Sequence, residues 1–568
     1  MRKTLLFIGL FLLNTFWFTA HAQVTQEWVR KFVGFGNDNP AGIAADNLGN
    51  VYIIGNNNWG FSTSDIYLVR YNAAGLQTGG ILYNSPYNNA DQAVAVATDV
   101  SGNVYVAGTV SVNASTSDIV VIKYNSSMTQ QWVTIFNTPE NYIDDVNAMK
   151  LDAAGNIYLT GSIVKGAFEY DYLTVKLNSS GTVMWHATYN GTANGIDIAN
   201  DIAVDASGNV FVTGASTGVA RRGRIFTLSS FYDVVTIKYD PNGVQQWVQR
   251  YNLANRNDEG NAIALDATGN VYVTGFANSS VNRDCVTLKY TNDGILQWVQ
   301  LFNGAANQHD EARKIAIDGS GNVLISGYTN NNATGSSDLL AIKYNSIGAL
   351  QWTGIFSAAS NTADQGRAMG LDQFGNVYVA GETSVPGTVN ADFITVKFTS
   401  AGSLAWSARY NGPENQTDFA TSIAVVNSRI PESLTNATVY VYGFSNNDVI
   451  TIKYSQPTVI EPPIFLTPQK NETSEARTQE FRTYYYPNPF NSYTNIYYQL
   501  PQNGKIIVTL HDGLGRKLAT IVEGSFAKGI YSKRLETSTL PSGEYYYKII
   551  FRSAGKETIE TKKLILQR

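Results

Sequence analysis

Apolar residues along this chain fall in short runs of five to seven, separated by Gly, Asn, Asp and Ser. Gly-Asn followed by an apolar-aromatic run recurs at Gly49, Gly102, Gly155, Gly208, Gly269, Gly321 and Gly375, at spacings of 53, 53, 53, 61, 52 and 54 residues. An alanine-rich run precedes each Gly-Asn, as at residues 262–266. Another run opens on Asp and closes on a basic-aromatic pair, as from Asp118 to Lys123-Tyr124, and occurs eight times. A fourth carries Trp28, Trp132, Trp185, Trp247, Trp298, Trp352 or Trp406, with Gly79 or Gly80 at that place in the first unit. Runs of this length bounded by turn residues predict strands. The Asp three residues before each Gly (Asp46, Asp99, Asp152, Asp205, Asp266, Asp318, Asp372) predicts a hairpin whose Gly takes positive φ.

Four strands in about 54 residues make one propeller blade. Residues 23–454 divide into eight units of 54, which predicts an all-β, eight-bladed β-propeller, with seven blades as the runner-up. Trp28 opens the array as a lone Trp strand, and the last unit, ending at Tyr454, lacks one. The N-terminal strand is therefore expected to complete the final blade as its outermost strand, with the alanine-rich strands innermost. Closure of this kind hides edge strands that would template aggregation. Apolar residues on both parities of the Asp-to-Lys strand predict burial on both faces. These repeats resemble the β-propeller repeat family of bacterial secreted proteins, a resemblance that speaks for architecture and says little about function.

The two ends read differently. Arg2 and Lys3, the apolar run Leu5–Phe18 and the small-x-small site Ala20-His21-Ala22 predict a signal peptide over 1–22. That run is shorter than the ~20 residues needed to span a bilayer, so the mature chain is expected to have no transmembrane segment. Residues 455–483, with Pro457, Pro462, Pro463 and Pro468, read as a linker. Residues 484–568 hold further strand-like runs and turn signals, which predict a small Ig-like β-sandwich. Within it, Tyr486-Pro487-Asn488-Pro489-Phe490-Asn491 resembles the opening motif of the type IX secretion C-terminal sorting domain of Bacteroidetes. Asp512-Gly513-Leu514-Gly515-Arg516, Leu540-Pro541-Ser542-Gly543-Glu544 and Lys562-Lys563-Leu564 match its later motifs. Ser492-Tyr493 departs from the Pro-Ser the family often shows. The resemblance implies export across the outer membrane by the type IX secretion machinery, then release or attachment at the cell surface.

Composition narrows the functional classes. With 40 Lys+Arg against 45 Asp+Glu, the net charge of −5 argues against nucleic acid as a partner. One cysteine, Cys285, excludes an intrachain disulfide and a Cys-rich zinc site. Asp240-Pro241-Asn242-Gly243 followed by Trp247 looks like the tryptophan-docking motif of eight-bladed quinoprotein dehydrogenases. The single cysteine and the lack of a cofactor segment set that reading aside, and no cofactor or metal is expected. His186 and His309 are the only propeller histidines, and no serine elbow or phosphate loop occurs, so no catalytic residue is named.

Candidate ligand residues are of two kinds. Asp38, Asp91, Asp144, Asp197, Asp258, Asp310, Asp364 and Asp418 recur once per unit, where outer strand returns to inner. They either form a ring of carboxylates near a channel mouth or accept loop amides. A further set, Asp65, Asp118, Asp171, Asp233, Asp284, Asp338, Asp392 and Asp448, stands five residues before each Lys or Arg. Odd spacing puts the two on opposite strand faces, so they pair only between blades. Residues that break the repeat are the other kind: Arg221, Arg222 and Arg224 in the insertion 215–232, and Trp59 in the loop after residue 56. The leading expectation is a secreted or surface-attached, non-enzymatic propeller that binds a glycan or surface protein. The alternative is a carbohydrate-active hydrolase or lyase on the same scaffold.

Overall fold

The structure is a computed structural model. It describes residues 24–566 apart from 33–36, 60–62, 114, 167–168, 223–224, 255, 280–281, 331–335, 360–361, 385–389, 428–436, 456–480, 487–492 and 537–539. The expected signal segment and most of the expected linker therefore lie outside the described residues. The chain divides into two compact units, one formed by residues up to Gln456 and one by Pro457–Arg568.

The described residues of the first unit form eight four-stranded antiparallel sheets, in propeller-like sequence. Sheet 1 runs Asn37–Ala45, Val51–Trp59, Thr63–Tyr71 and Gln77–Tyr83. Sheets 2 to 7 repeat this order, with first strands starting at Asp91, Ile143, Asp197, Asp258, Asp310 and Asp364. Sheet 8 takes three strands from the end of the array, Asp418–Val426, Thr438–Ser445 and Asp448–Ser455, and its fourth, Thr25–Phe32, from the beginning. That strand pairs antiparallel with Asp448–Ser455 at the sheet edge, placing Trp28 opposite Lys453. First strands touch from sheet to sheet, and the first strand of sheet 8 touches that of sheet 1.

Local chemistry accounts for the hairpins. Asp46 Oδ1 accepts the amides of Leu48 and Asn50, Oδ2 accepts the Asn50 side chain, and Gly49 sits at φ 78°. Only a residue without Cβ adopts that conformation freely. In five sheets a tyrosine two residues after the Asn (Tyr52, Tyr105, Tyr158, Tyr272, Tyr378) donates its hydroxyl back to the same Asp. Second and third strands are buried on both faces, as the double-parity pattern predicts; Val104–Ala107 and Ile119–Ile122 have almost no exposed surface.

The Trp strand locks each sheet to the next. Lys238 and Trp247 stand opposite each other, and both donate to the carbonyl of Asn292 in the next sheet, at 3.1 and 3.0 Å. The Trp ring lies over the Gly of that turn: a Cβ on Gly294 would meet it at 2.8 Å. The same clasp joins Lys176 and Trp185 to Pro241, Lys289 and Trp298 to Ser346, and Lys453 and Trp28 to Ala73. The lysines thus bridge neighbouring sheets, but through backbone carbonyls. The expected pairing with the aspartates five residues earlier does not form, because each Lys is already committed beside its Trp.

The second unit packs a three-stranded sheet (Arg482–Tyr486, Tyr493–Leu500, Gly529–Glu536) and a four-stranded one (Lys517–Phe526, Gly504–Asp512, Gly543–Ser553, Lys556–Leu566). Ile496, Tyr498, Val508, Tyr547, Ile549 and Leu564 form their shared core.

Candidate functional site

All eight recurrent aspartates at the start of the first strands are buried, none more than 1% exposed. They tie the loop between sheets to the strand it enters. Asp91 accepts the Ser85 amide, Asp197 the Gly191 amide, Asp310 the Gly304 amide and Asp418 the Gly412 amide, each at 2.6 Å. Asp258 also accepts the Asn278 amide at 2.8 Å, and Asp144 both the amide and hydroxyl of Thr138. Asp364 accepts the Ala358 amide, and the Asp38 amide donates to the Asn447 carbonyl across sheets 8 and 1. Burial pushes Asp91 and Asp258 up to about 6 and raises Asp144, Asp197, Asp310 and Asp364.

The insertion is an extension of the sheet 4 hairpin. Strands Val210–Arg222 and Ile225–Tyr239 pair as far as Arg222 and Ile225. It projects from the end of the sheet where the recurrent aspartates sit. The side chains of Arg221 and Arg222 and all of Arg224 lie outside the described residues, as does the Trp59 side chain; the Trp59 backbone pairs with Thr63.

A second grouping at that end comes from residues next to the recurrent aspartates. The pairs Asn39–Asn56, Gln92–Thr109, Asp145–Ser162 and Ile198–Ala215 occupy this position in sheets 1 to 4. In sheets 5 to 8 the pairs are Glu259–Phe276, Glu311–Tyr328, Gln365–Glu382 and Phe419–Phe444. The second half of the array is therefore aromatic and charged where the first is small and mostly uncharged. Glu311 gathers Arg283 at 2.7 Å, Arg313 at 3.1 Å and the Tyr328 hydroxyl at 3.3 Å. Arg283 also lies 3.8 Å over the Phe276 ring, and its amide donates to His309 Nδ1. Arg367 pairs with Glu382 at 2.8 Å and covers Phe419, which stacks on Phe444. Arg313 Nη1 and Arg367 Nε are buried without a protein partner. Glu259, held by Asn200 at 2.8 Å, is raised by burial and by the charge of Glu311. His186 packs its ring on Phe136, and Cys285 is buried and free. The only signal in the sequence for this grouping is that the residue after each recurrent Asp varies from unit to unit.

In the second unit, Asp512–Arg516 makes the same turn as the propeller hairpins. Gly515 is at φ 80°, and Arg516 donates its amide and Nε to Asp512 at 2.9 and 2.7 Å. Lys563 pairs with Glu544 beside Gly543, and Lys562 lies 3.8 Å from Glu560. The Tyr486 backbone ends a strand; Pro487, Asn488, Pro489 and Phe490 lie outside the described residues.

Repeated four-stranded sheets, the inter-sheet clasp and the separate C-terminal unit define a β-propeller protein. The beta-propeller repeat family matches residues 27–58, 246–281, 297–332 and 351–387, and each match starts at a Trp strand and runs into the next sheet. The secretion system C-terminal sorting domain matches 484–567. The chain thus carries the repeats of bacterial secreted propeller proteins and a type IX sorting domain, which makes it a secreted or cell-surface protein that engages the type IX machinery. No helix among the described residues is long and apolar enough to cross a membrane. No curated protein matches the chain. Among solved structures, the β-propeller domain of the Trilobed protease from Pyrococcus furiosus is similar over 63% of this chain and 93% of that one, at 9% identity and a TM-score of 0.38. The acylaminoacyl peptidase of Pyrococcus horikoshii is similar over 81% and 57%, at 9% identity and 0.35. A eukaryotic initiation factor is similar over 66% and 78%, at 9% and 0.36.

Proposed function

We propose that this protein is a non-enzymatic, secreted binding propeller that takes an acidic glycan at the end of the array bearing the recurrent aspartates. The observation that carries this reading is the wall on sheets 5 to 8, where guanidinium groups alternate with carboxylates and aromatic rings. Aromatic faces stack on sugar rings, carboxylates accept from hydroxyls, and the buried N–H groups of Arg313 and Arg367 suit a uronate carboxylate. Arg221, Arg222 and Arg224 on the extended hairpin, and Trp59, are assigned to the rim of the same site. The recurrent aspartates are assigned to hold that rim in shape. In this reading the eight sheets are eight blades of one closed ring over residues 23–454. Residues 1–22 are a signal peptide, 455–483 a linker, and 484–568 an Ig-like sandwich.

Binding to acidic and neutral polysaccharides on an array tests the proposal. Arg313→Ala and Arg367→Ala are expected to lower affinity for the acidic ligand at least tenfold, the scale of one lost charged hydrogen bond. Unchanged binding in both variants would sink the site assignment. A second reading, hydrolase or lyase, is favoured by one feature: Glu259 is held protonated-prone beside a second carboxylate, Glu311, as a general acid requires. Release of oligosaccharides that Glu259→Gln abolishes would establish it.

A further inference from the structure

The interface between sheets 1 and 2 carries a charge imbalance that the other interfaces correct. Asp65 opens the third strand of sheet 1, and Asp91 opens the first strand of sheet 2. The Ser64 hydroxyl donates to the Asp91 carbonyl at 3.0 Å, which stitches the two strand starts together. Asp65 is 9% exposed and Asp91 fully buried, yet Oδ1 of each has no protein partner. Ser85 is 4% exposed, and its amide donates to Asp91 Oδ2; its hydroxyl lies against the same carboxylate and has no partner either. The buried hydroxyl of Tyr83 is likewise unpartnered. Three to four buried oxygens thus converge with two carboxylates among them, and no Lys, Arg or His pairs with either among the described residues.

Equivalent aspartates elsewhere show what is missing. Asp233 in sheet 4 meets Arg250 at 2.7 Å, Asp392 in sheet 7 meets Arg409, and Asp448 in sheet 8 meets Lys31 at 2.5 Å. All three cations stand three residues after the Trp of the fourth strand. In sheet 3, Lys165 reaches Asp171 from the neighbouring strand at 2.6 Å. Sheet 1 has Leu82 at the cationic position, half exposed, opposite Tyr67 as Arg250 is opposite Val235. Sheets 2, 5 and 6 also have apolar residues there, but Asp144 and Asp310 in the adjoining sheets have both oxygens bonded. A buried carboxylate pair without a counter-charge is strongly unfavourable.

We propose that Asp65, Asp91 and the Ser85 hydroxyl bind a calcium ion between sheets 1 and 2, in the role that Arg250, Arg409 and Lys31 fill elsewhere. Two carboxylates neutralise a divalent charge. Hard oxygen donors in irregular geometry select calcium over magnesium, which demands an octahedron. A site with two carboxylates matches the weak affinity of extracellular modules, on the order of 0.1–1 mM, which suits a secreted protein.

The test uses the purified full chain after EDTA treatment, titrated with calcium to millimolar levels and followed by thermal unfolding and by terbium luminescence sensitised through Tyr83. Calcium is expected to raise the propeller transition by roughly 2 °C or more. Asp65→Asn is expected to remove that rise. Leu82→Arg, which copies the Arg250 position at an exposed site, should raise the calcium-free transition and abolish the calcium response. The proposal is overturned by a wild-type protein without a calcium response, or by a response that survives in Leu82→Arg. Stabilisation by acid alone, with calcium inert, would assign a shared proton to the pair and equally overturn it.

Discussion

Met128 fills the space that a missing tryptophan leaves at Gly79. Gly79 stands opposite Arg70 in sheet 1, the register position of Trp in every other sheet, and a Cβ there would meet the Met128 side chain at 3.1 Å. Met128, at φ 65°, occupies the turn position that is glycine where a Trp docks. Large and small residues have changed places across one interface. Gly79→Trp alone is expected to destabilise by roughly 1–3 kcal/mol through overpacking against Met128. Met128→Gly alone should cost a similar amount by opening a cavity. The double variant rebuilds the common interface, so a thermal-unfolding cycle should give a coupling energy of roughly 1–3 kcal/mol in favour of the pair. Additive losses would show that the exchange is coincidental.

The shared carbonyl of Asn292 makes a second cycle informative. A carbonyl has two lone pairs, and Lys238 and Trp247 take one each. Lys238→Met or Trp247→Phe leaves the carbonyl with one donor and should cost about 1 kcal/mol. Removing both leaves it buried and unpaired, so the double variant should lose more than the sum, by roughly 1 kcal/mol, in denaturant unfolding.

Much of this architecture could be read from residues that repeat. The Asp-x-x-Gly-Asn turns, the Trp strands and the lone strand at Trp28 each fix a local geometry, and local geometry multiplied around the array is the fold. The clasp was only half legible. Sequence spacing shows that Lys238 and Asp233 face apart, but the acceptor is a backbone carbonyl in another sheet, and carbonyls carry no sequence signature. The wall on sheets 5 to 8 was not legible for a different reason. Glu259, Glu311 and Arg367 each occur once, in strand positions that any polar residue satisfies, and only the sheet order brings them side by side.

Buried acids give the propeller a pH dependence of definite sign. Burial, then the charge of Asp310, pushes Asp284 up to about 6 from its ordinary 3.8. Between these values the folded protein holds a proton that the unfolded chain has released, so stability falls as pH rises. The contribution is complete below about pH 4 and is lost as pH passes about 6. Asp266, held down near 2 by its turn bonds, acts in the opposite sense but only below its ordinary value. Asp284→Asn should therefore raise the transition temperature at pH 7–8, by the equivalent of roughly 1–3 kcal/mol, and leave it nearly unchanged at pH 4. A wild-type stability that is flat from pH 4 to 6, or a variant equally shifted at both pH values, would contradict this.

Export and folding should separate cleanly between the two units. The C-terminal unit has its own core around Tyr547 and Ile549, and the propeller closes through the pairing of Thr25–Phe32 with Asp448–Ser455 without any strand from it. Deleting residues 484–568 is thus expected to leave the propeller transition within about 1 °C of wild type, because no buried contact of the array is lost. The same deletion removes the sorting domain and should hold the protein inside the outer membrane, which fractionation and surface proteolysis read directly. Fusing residues 484–568 to a folded reporter should send the reporter to the surface. Normal surface delivery of the truncated chain would show that the signal for export lies elsewhere. A propeller that melts early after truncation would show that the C-terminal unit also supports the fold.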